Sequence, residues 1–147
     1  MKIEANNLRF AYSKTKVILN DFSLSTESHE RLGITAPSGG GKTTLCKILA
    51  GYMLPQAGQV LVDGQPLASF KGYCPIQMIW QHPEKSVNPR LKIKRAILEG
   101  DHIEDRILEG LGIEKAWYDR FPGELSGGEI QRFCIARALG EKTRFLI

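Results

Sequence analysis

The segment APSGGGKTTL, residues 36–45, decides the fold of this chain. It matches the pattern G-x-x-x-x-G-K-[ST], except that Ala36 stands where the pattern begins with glycine. In such a loop, glycines let successive backbone N–H groups curl around an oxyanion at the N-terminus of a helix. Lys42 can then reach the β- and γ-phosphates of a nucleotide, and Thr43 can offer its hydroxyl to Mg²⁺. The segment therefore predicts a phosphate-binding loop between a strand and a helix.

Alanine at position 36 leaves one question open. It is tolerated if its φ is negative, and it costs about 1–2 kcal/mol if φ has to be positive. The rest of the loop is intact and consists of Ser38, Gly39, Gly40, Gly41, Lys42, Thr43 and Thr44. The alternative interpretation is a glycine-rich turn without a ligand, but that gives the Lys-Thr pair after three glycines no role.

The flanking segments fit a loop between a strand and a helix. Glu30–Thr35 predicts the strand before the loop. The helix after it is predicted by apolar residues at i, i+3 and i+4, namely Leu45, Ile48 and Leu49. Gly51 can end that helix. Further strands are predicted in IEANNLRFAY, LNDFSLST, IQMIWQ and QVLVDG, the last closing in a turn at Asp63-Gly64.

Helical spacing dominates after Pro83, in LKIKRAILEG, DHIEDRILEGLG and GGEIQRFCIARAL. The last of these segments places four residues on one face: Ile130, Phe133, Cys134 and Ala138. RFLI, residues 144–147, predicts the start of a buried strand. Because no turn residue closes that strand, we expect the chain to be part of a longer protein.

Length and composition set outer limits. The chain has 147 residues, 42% of them apolar and 24% charged, as in a soluble globular domain. No apolar run approaches the roughly 18 residues of a membrane span, and the N-terminus lacks a secretory signal. The three cysteines and three histidines show no metal-ligand spacing, so we expect reduced and mostly buried thiols. The net charge of +4 is mild and does not require nucleic acid as a partner.

LSGGEIQR, residues 125–132, is the second unusual segment. Ser126 followed by Glu129 is a capping box that can open a helix. Gly127 and Gly128, however, each cost about 1 kcal/mol against alanine in the first helical turn. Their use would be to bring bare N–H groups against an anion at the positive end of the helix, which a helix cap alone does not need.

With both segments in view, the chain resembles the ATP-binding-cassette (ABC) ATPases over essentially its whole length. LSGGEIQR is similar to the signature motif of that family, and residues 36–44 are similar to its Walker A loop except at Ala36. Gln81 in MIWQHP is similar to the Q-loop glutamine. Tyr12 is similar to the N-terminal aromatic residue that stacks on adenine. Spacing alone leaves an ordinary strand aromatic equally open, and the resemblance favours the adenine platform.

A narrower resemblance concerns the segment after Gln81. IQMIWQHPEKSVNPRLKIKRAILEG is similar to the peptide, dipeptide and nickel importer ATPases, in which a Ser-x-Asn-Pro-Arg sequence follows the Q-loop. Here that sequence is Ser86-Val87-Asn88-Pro89-Arg90. A polar turn that caps the next helix is the alternative interpretation, and both can hold together.

The resemblance implies an α/β fold. It consists of a P-loop NTPase (RecA-like) core, an N-terminal antiparallel β-subdomain and an inserted α-helical subdomain with the signature motif, incomplete at the C-terminus. The whole chain would be one partial ABC ATPase domain. Its core would comprise residues 1–83 and 140–147, and its helical subdomain residues 84–139.

The resemblance also implies a site for ATP and Mg²⁺ that two ATPase units close head to tail. The residues of one unit would be Tyr12, Ser38, Gly39, Gly40, Gly41, Lys42, Thr43, Thr44 and Gln81. Thr43 and Gln81 would bind Mg²⁺. Ser126, Gly127 and Gly128 would contact the γ-phosphate across the dimer. The other implied partners are transmembrane permease subunits and, indirectly, a substrate-binding protein, with the chain on the cytoplasmic face of the cell membrane.

Catalytic residues are the part of the family pattern that this sequence does not show. The family takes them from the Walker B Asp and Glu, directly after four apolar residues, and from a later histidine. RFLI resembles the start of Walker B, and no acidic residue follows it. His29, His82 and His102 all precede the signature motif. We therefore expect no catalytic residue within these 147 residues and inefficient ATP hydrolysis by them.

The first functional hypothesis is the ATP-binding subunit of an importer for peptides or nickel. The alternatives are a soluble ABC ATPase without a membrane partner and a non-catalytic nucleotide-binding module. A P-loop kinase is the weakest alternative, because it leaves LSGGEIQR without a role.

Overall fold

The computed structural model describes residues 1–97 and 102–147. These residues form two compact units, Met1–Ile76 together with Ile147, and Gln77–Leu146. The first unit carries an antiparallel sheet and the helix after the phosphate loop, and the second is mainly helical. The chain is therefore α/β, as expected. The domain limits at residues 83/84 and 139/140 stay a prediction.

The sheet of the first unit has the strand order β2-β1-β3-β4. Its strands are β1 (Lys2–Ser13), β2 (Lys16–Glu27), β3 (Ala57–Val62) and β4 (Gln65–Pro66), and neighbouring strands run antiparallel. This confirms the strands predicted in IEANNLRFAY, LNDFSLST and QVLVDG. The predicted turn between β3 and β4 is also present, with positive φ at both Asp63 (51°) and Gly64 (77°), as a tight hairpin turn requires.

Helix α1 (Lys42–Leu49) follows the phosphate loop. It buries Thr44, Leu45, Ile48 and Leu49, so the predicted apolar face is the packed face. Gly51, with φ of 76°, stands just beyond the helix end, where a left-handed residue commonly ends a helix. The prediction for this helix is confirmed. A single 3₁₀ turn, Leu67–Ser69, follows β4.

The strand predicted at Glu30–Thr35 is wrong. The segment has no regular secondary structure, and it leaves Leu32 and Ile34 55% and 39% exposed. A strand requires a neighbour for its N–H and C=O groups, and no strand of the described residues pairs with this segment. Strand β5 is also shorter than predicted, because within IQMIWQ only Ile76–Gln77 is paired.

The second unit is built around three helices: α2 (Ile93–Ile97), α3 (Asp105–Gly110) and α4 (Gly127–Ala138). It also contains the 3₁₀ turns Pro83–Lys85, Lys115–Trp117 and Pro122–Glu124. The helices match the three segments predicted after Pro83, although residues 98–101 of the first two segments lie outside the described residues. A short strand, β6 (Phe145–Leu146), pairs with β5 in a two-stranded sheet.

Phe133 lies at the centre of the helical core. Its ring centroid lies 6.1 Å from that of Trp117 and 6.3 Å from that of Tyr118, both in edge-on geometry. Four residues of α4 are buried as predicted: Ile130, Phe133, Cys134 and Ala138. The burial predicted for RFLI is wrong, because Leu146 is 44% exposed. A two-residue strand with a single partner leaves an open edge.

Within the described residues the cysteines form no disulfide, with Cys134 buried and Cys46 and Cys74 half-buried. Burial raises the pKa of the Cys46 and Cys74 thiols, so both stay protonated at neutral pH. Within residues 1–97 and 102–147, no group of His, Cys, Asp and Glu side chains is arranged to hold a metal ion. None of the helices in that part of the chain is both long and apolar enough to cross a bilayer.

Gly58 in β3 provides a stability test of the sheet. Its φ is 81°, and a Cβ atom added there would overlap the carbonyl oxygens of Asn6 and Asn7 in β1. We expect Gly58→Ala to lower the free energy of unfolding by about 2–4 kcal/mol, from the left-handed φ and the backbone overlap together.

Gly64→Ala is the matched control. Gly64 has nearly the same φ, 77°, but an added Cβ would meet no atom within 4 Å. It should cost only the left-handed penalty of about 1 kcal/mol. Urea unfolding followed by circular dichroism measures both, and equal losses would contradict the close approach of β1 to Gly58.

Candidate functional site

The phosphate loop and the β1–β2 hairpin enclose a cleft of about 180 Å³ in the first unit. The residues that line it are Tyr12, Lys16, Ile18, Gly39, Gly40, Gly41, Lys42, Thr43 and Thr44. The structure thus brings Tyr12 together with six of the seven predicted loop residues, and only Ser38 does not line the cleft. Sequence reasoning missed Lys16 and Ile18. Their place at the start of the strand that follows Tyr12 was the available signal.

Two of the lining residues lie at irregularities in the pairing of the β1–β2 hairpin. Between β1 and β2 the register shifts several times, and these shifts leave Tyr12 and Ile18 without a partner residue on the opposite strand. An extra residue of this kind bends its strand and redirects its side chain. The bulges account for two residues from different strands facing the same cleft.

Neighbouring atoms leave no room for a side chain at two glycines of the loop, Gly40 and Gly41. Gly41 has φ of 85°, and an added Cβ would lie 2.5 Å from a methyl carbon of Ile18. Gly40 has no positive φ, but an added Cβ would lie 2.9 Å from the carbonyl oxygen of Pro37 and 3.0 Å from Cβ of Ala36. At both positions a side chain would force the loop away from its neighbours.

Ala36 fits the conformation of the loop. The non-glycine residues with positive φ in the described parts of the chain are Asn7, Asp21, His29 and Asp63. Ala36 is not among them, so it carries no left-handed penalty. The question left open by the sequence is therefore answered: the backbone at this position accepts alanine.

Lys42, the first residue of α1, folds back over the loop. Its ammonium group donates hydrogen bonds to the carbonyl oxygens of Ala36, at 2.5 Å, and of Pro37, at 3.0 Å. The group remains half-buried beside the glycines that line the cleft. An ammonium held by neutral carbonyls can exchange them for phosphate oxygens, which form stronger, charge-assisted hydrogen bonds.

Tyr12 connects the hairpin to α1. Its hydroxyl lies 3.1 Å from Oγ1 of Thr44, and its ring packs edge-on against Phe10 with centroids 5.1 Å apart. The side chain is 57% exposed, so ring surface is available to a planar ligand. Thr44 itself is buried, whereas Thr43 beside it is exposed. The role of Tyr12 as an adenine platform stays a prediction.

The signature segment lies in the second unit, at the start of α4. Ser126 is the N-cap, and the capping box is confirmed: the backbone N–H of Ser126 donates to the Glu129 carboxylate at 2.6 Å, and that of Glu129 donates to Ser126 Oγ at 3.3 Å. Gly127 and Gly128 have open space where a Cβ would stand. No described residue of this unit requires glycine at those positions.

The capping box also sets the ionisation of Glu129. The hydrogen bonds from the backbone and side chain of Ser126 lower the pKa of the Glu129 carboxyl, and the nearby Arg120 and Arg132 lower it further. Arg132 has a second contact, because its guanidinium donates to the carbonyl oxygen of Gly112 at 3.3 Å. This arginine therefore ties the signature helix to the residues that follow α3.

The Q-loop residue Gln81 lies in an exposed bend of the second unit. The Ser86–Arg90 sequence after it is a polar turn. Ser86 Oγ donates to the carbonyl oxygen of Pro83 at 2.8 Å, and Asn88 Oδ1 accepts the N–H of Arg90 at 3.0 Å. The turn interpretation thus holds for this segment, while the roles of Gln81 in binding Mg²⁺ and of Ser126, Gly127 and Gly128 in binding phosphate stay predictions.

The glycine loop that opens α1, the hairpin aromatic beside it and the helix that Ser126 caps before Gly127 and Gly128 are the features of the ATP-binding-cassette class. The family profile described as ABC transporter matches residues 19–147. The chain belongs to the ABC transporter family.

Curated relatives come from import systems. The chain is 36% identical to the spermidine/putrescine import ATP-binding protein of Chromobacterium violaceum, over 88% of this chain and 38% of the relative. It is 31% identical to the nickel import ATP-binding protein of Rhodospirillum rubrum, over 92% of this chain and 55% of the relative. It is 28% identical to the Fe(3+) ions import ATP-binding protein of Serratia marcescens, over 99% of this chain and 45% of the relative. The chain spans about half the length of these relatives.

Solved structures show the same fold. A bacterial Atm1-family ABC exporter with ATP bound matches with a TM-score of 0.75 and 26% identity, over 99% of this chain and 28% of that one. A dimeric ATP-binding cassette in a post-hydrolysis state with ADP and Pi matches with a TM-score of 0.78 and 21% identity, over 98% and 72%. The second likeness supports the fold alone.

Ala36→Gly tests whether alanine impairs the loop. Because φ at position 36 is not positive, restoring the glycine of the common pattern should relieve no strain. We expect the affinity for Mg·ATP, measured by calorimetry, to change by less than about twofold, well within the tenfold that corresponds to about 1.4 kcal/mol. A gain of tenfold or more would show that alanine distorts the loop.

Glu129→Gln tests the capping box through its pH dependence. Glutamine keeps an acceptor but removes the charge. Since the folded-state pKa of Glu129 is lowered, its charge contributes stability above the ordinary value of 4.5, and this contribution is lost as the pH falls through the folded-state pKa. We expect the variant to melt below the parent at pH 7 and the difference to close at low pH.

The control is Glu109→Gln, which changes an exposed glutamate of α3 outside any capping box. It should melt close to the parent at both pH values. A difference for Glu129→Gln that is the same at pH 3 and pH 7 would contradict the electrostatic role of its carboxylate.

Proposed function

We propose that this chain is the nucleotide-binding part of an ATP-binding subunit of an ABC importer. The observation that carries the proposal is the cleft in which Tyr12 of the hairpin and residues Gly39–Thr44 of the loop come together. A planar, exposed ring beside a cationic glycine loop suits a ligand with a base at one end and phosphates at the other. The import relatives support the same assignment.

The residues have separate roles in this proposal. Lys42 and the loop N–H groups bind the β- and γ-phosphates, and the ring of Tyr12 stacks on adenine. Mg²⁺ prefers oxygen ligands, and the exposed hydroxyl of Thr43 fits that preference, with Gln81 as the second protein ligand. Magnesium would supply charge neutralisation between the phosphates.

Ser126, Gly127 and Gly128 bind the γ-phosphate of a nucleotide held by a second ABC ATPase subunit. The support is the exposure of all three residues and the open space beside both glycines, which leaves the helix N–H groups accessible. Glycines that no neighbour requires, at the positive end of a helix, suit a surface that receives an anion from outside the chain.

Peptides or nickel are the proposed cargo, on the basis of Ser86–Arg90 and of the nickel import relative at 31% identity. The polyamine import relative, at 36% identity, supports spermidine or putrescine as the competing cargo. Transmembrane permease subunits and, through them, a substrate-binding protein are the further proposed partners. The chain would act at the cytoplasmic face of the membrane.

The 147-residue polypeptide is proposed to bind nucleotide without efficient turnover. None of the residues that line the cleft is Asp or Glu, so within the first unit no lining carboxylate can orient an attacking water. We therefore expect binding and hydrolysis to be separable properties of this polypeptide.

Calorimetry with Mg·ATP tests the proposal, using Lys42→Ala as the decisive variant. A hydrogen bond to a charged group contributes about 1.5–3 kcal/mol, so the variant should bind at least about tenfold more weakly. Lys14→Ala is the control, because it removes an equal charge from the same hairpin region without lining the cleft.

Circular dichroism must show that the parent and both variants are folded. Absence of ATP binding by a folded parent, or equal binding by Lys42→Ala, would contradict a functional phosphate loop. Phosphate release over many turnovers, lost in Lys42→Ala, would contradict the separation of binding from hydrolysis.

A further inference from the structure

Lys16 is a lining residue of the cleft to which the proposed function gives no role. It is the first residue of β2 and is exposed, across the hairpin turn from Tyr12. Further along the same strand, Ile18 approaches Gly41 closely. Lys16 lines the same cleft as the ring of Tyr12 and the phosphate loop.

The charge of the cleft is one-sided. Its lining contains two cations, Lys16 and Lys42, and no Asp or Glu. The two lysines differ in their contacts. Lys42 is bonded to two loop carbonyls, whereas Lys16 has no side-chain hydrogen bond or ion pair with any described residue. A cation without a partner can bind an anion without first giving up another contact.

Comparison with the neighbouring Lys14 shows that access to the cleft is not shared by every lysine of the hairpin turn. Both lysines are exposed and both belong to the turn region of the hairpin, but only Lys16 lines the cleft. Lys2, at the other end of β1, has a carboxylate partner in Glu4 at 2.8 Å. Lys16 thus combines access to the cleft with the lack of a competing carboxylate among the residues that the structure describes.

We propose that Lys16 is a specificity-determining residue that binds the phosphate chain of the nucleotide at its α-phosphate end. This rests on the proposed function, because it requires a nucleotide with its base near Tyr12 and its terminal phosphates at Lys42. A lysine ammonium acts as a point charge and requires no fixed geometry, so it can follow a flexible phosphate chain. The contact selects for phosphorylated ligands and is indifferent to the base.

Lys16→Gln is the test variant, with Lys14→Gln as the control of equal charge change. In calorimetry with the full chain, we expect Lys16→Gln to weaken ATP, ADP and GTP binding by the same factor. That factor should be about three- to tenfold, as for a charge-assisted contact at a partly exposed site. Lys14→Gln should change each affinity by less than about twofold, because an exposed charge outside the cleft is largely screened at physiological salt.

Two further measurements separate a phosphate contact from a general loss of charge. Lys16→Arg should restore affinity to near that of the parent, since it returns the cation. The decrease of ATP affinity with added salt should be less steep in Lys16→Gln than in the parent and unchanged in Lys14→Gln.

The outcomes distinguish this inference from the function on which it rests. A parent that binds ATP and a Lys16→Gln variant that binds it equally well would overturn the role of Lys16 alone. A loss for ATP and ADP but not for GTP would place Lys16 at the base and overturn the phosphate contact. A loss for ATP but not ADP would assign it to the γ-phosphate and overturn the α-phosphate position. A folded parent that binds no nucleotide would overturn the proposed function and the inference together.

Discussion

The close approach of the phosphate loop to the β1–β2 hairpin is the constraint on which the candidate site depends. At Gly41 the backbone is left-handed and a methyl group of Ile18 occupies the space of a side chain. Because Gly41 has no Cβ, the loop can approach the hairpin this closely. The two elements then line one cleft, and the hydroxyl of Tyr12 reaches Thr44. The phosphate loop is therefore part of a surface to which a separate structural element contributes its aromatic and cationic side chains.

Glycine stands in the phosphate loop and in the signature segment for different physical reasons. In the loop, Gly40 and Gly41 are required by neighbouring atoms of the same unit. At the start of α4, Gly127 and Gly128 face open space, and the capping box of Ser126 and Glu129 would cap the helix without them. The fold therefore explains the first pair, whereas the second pair favours contact with a group from outside the chain. This contrast supports the assignment of the signature segment to an intermolecular contact.

The fold of this chain does not by itself indicate the direction of transport. Curated relatives of this chain serve import, while one of the matching structures is an exporter that aligns over 99% of the chain. A shared ATPase fold thus occurs with both directions of transport, since function lies in sites and partners rather than in the fold.

The sequence by itself determined the elements that local chemistry controls. The phosphate loop, α1 with its end at Gly51, the hairpin strands, the Asp63-Gly64 turn and the capping box each follow from a few neighbouring residues. Local rules failed where pairing or burial depends on distant residues. Glu30–Thr35 has the composition of a strand but no neighbour among the described strands, and Leu146 is apolar but lies on an open edge.

Only the tertiary structure decided the remaining properties of the site. The backbone at Ala36 has no positive φ, which no property of the alanine itself could indicate. Tyr12 and Ile18 face the cleft because the register of the hairpin shifts beside them, and a register depends on both strands at once. The sequence gives the identity of each side chain, but its neighbours depend on how elements that are distant in the sequence pack together.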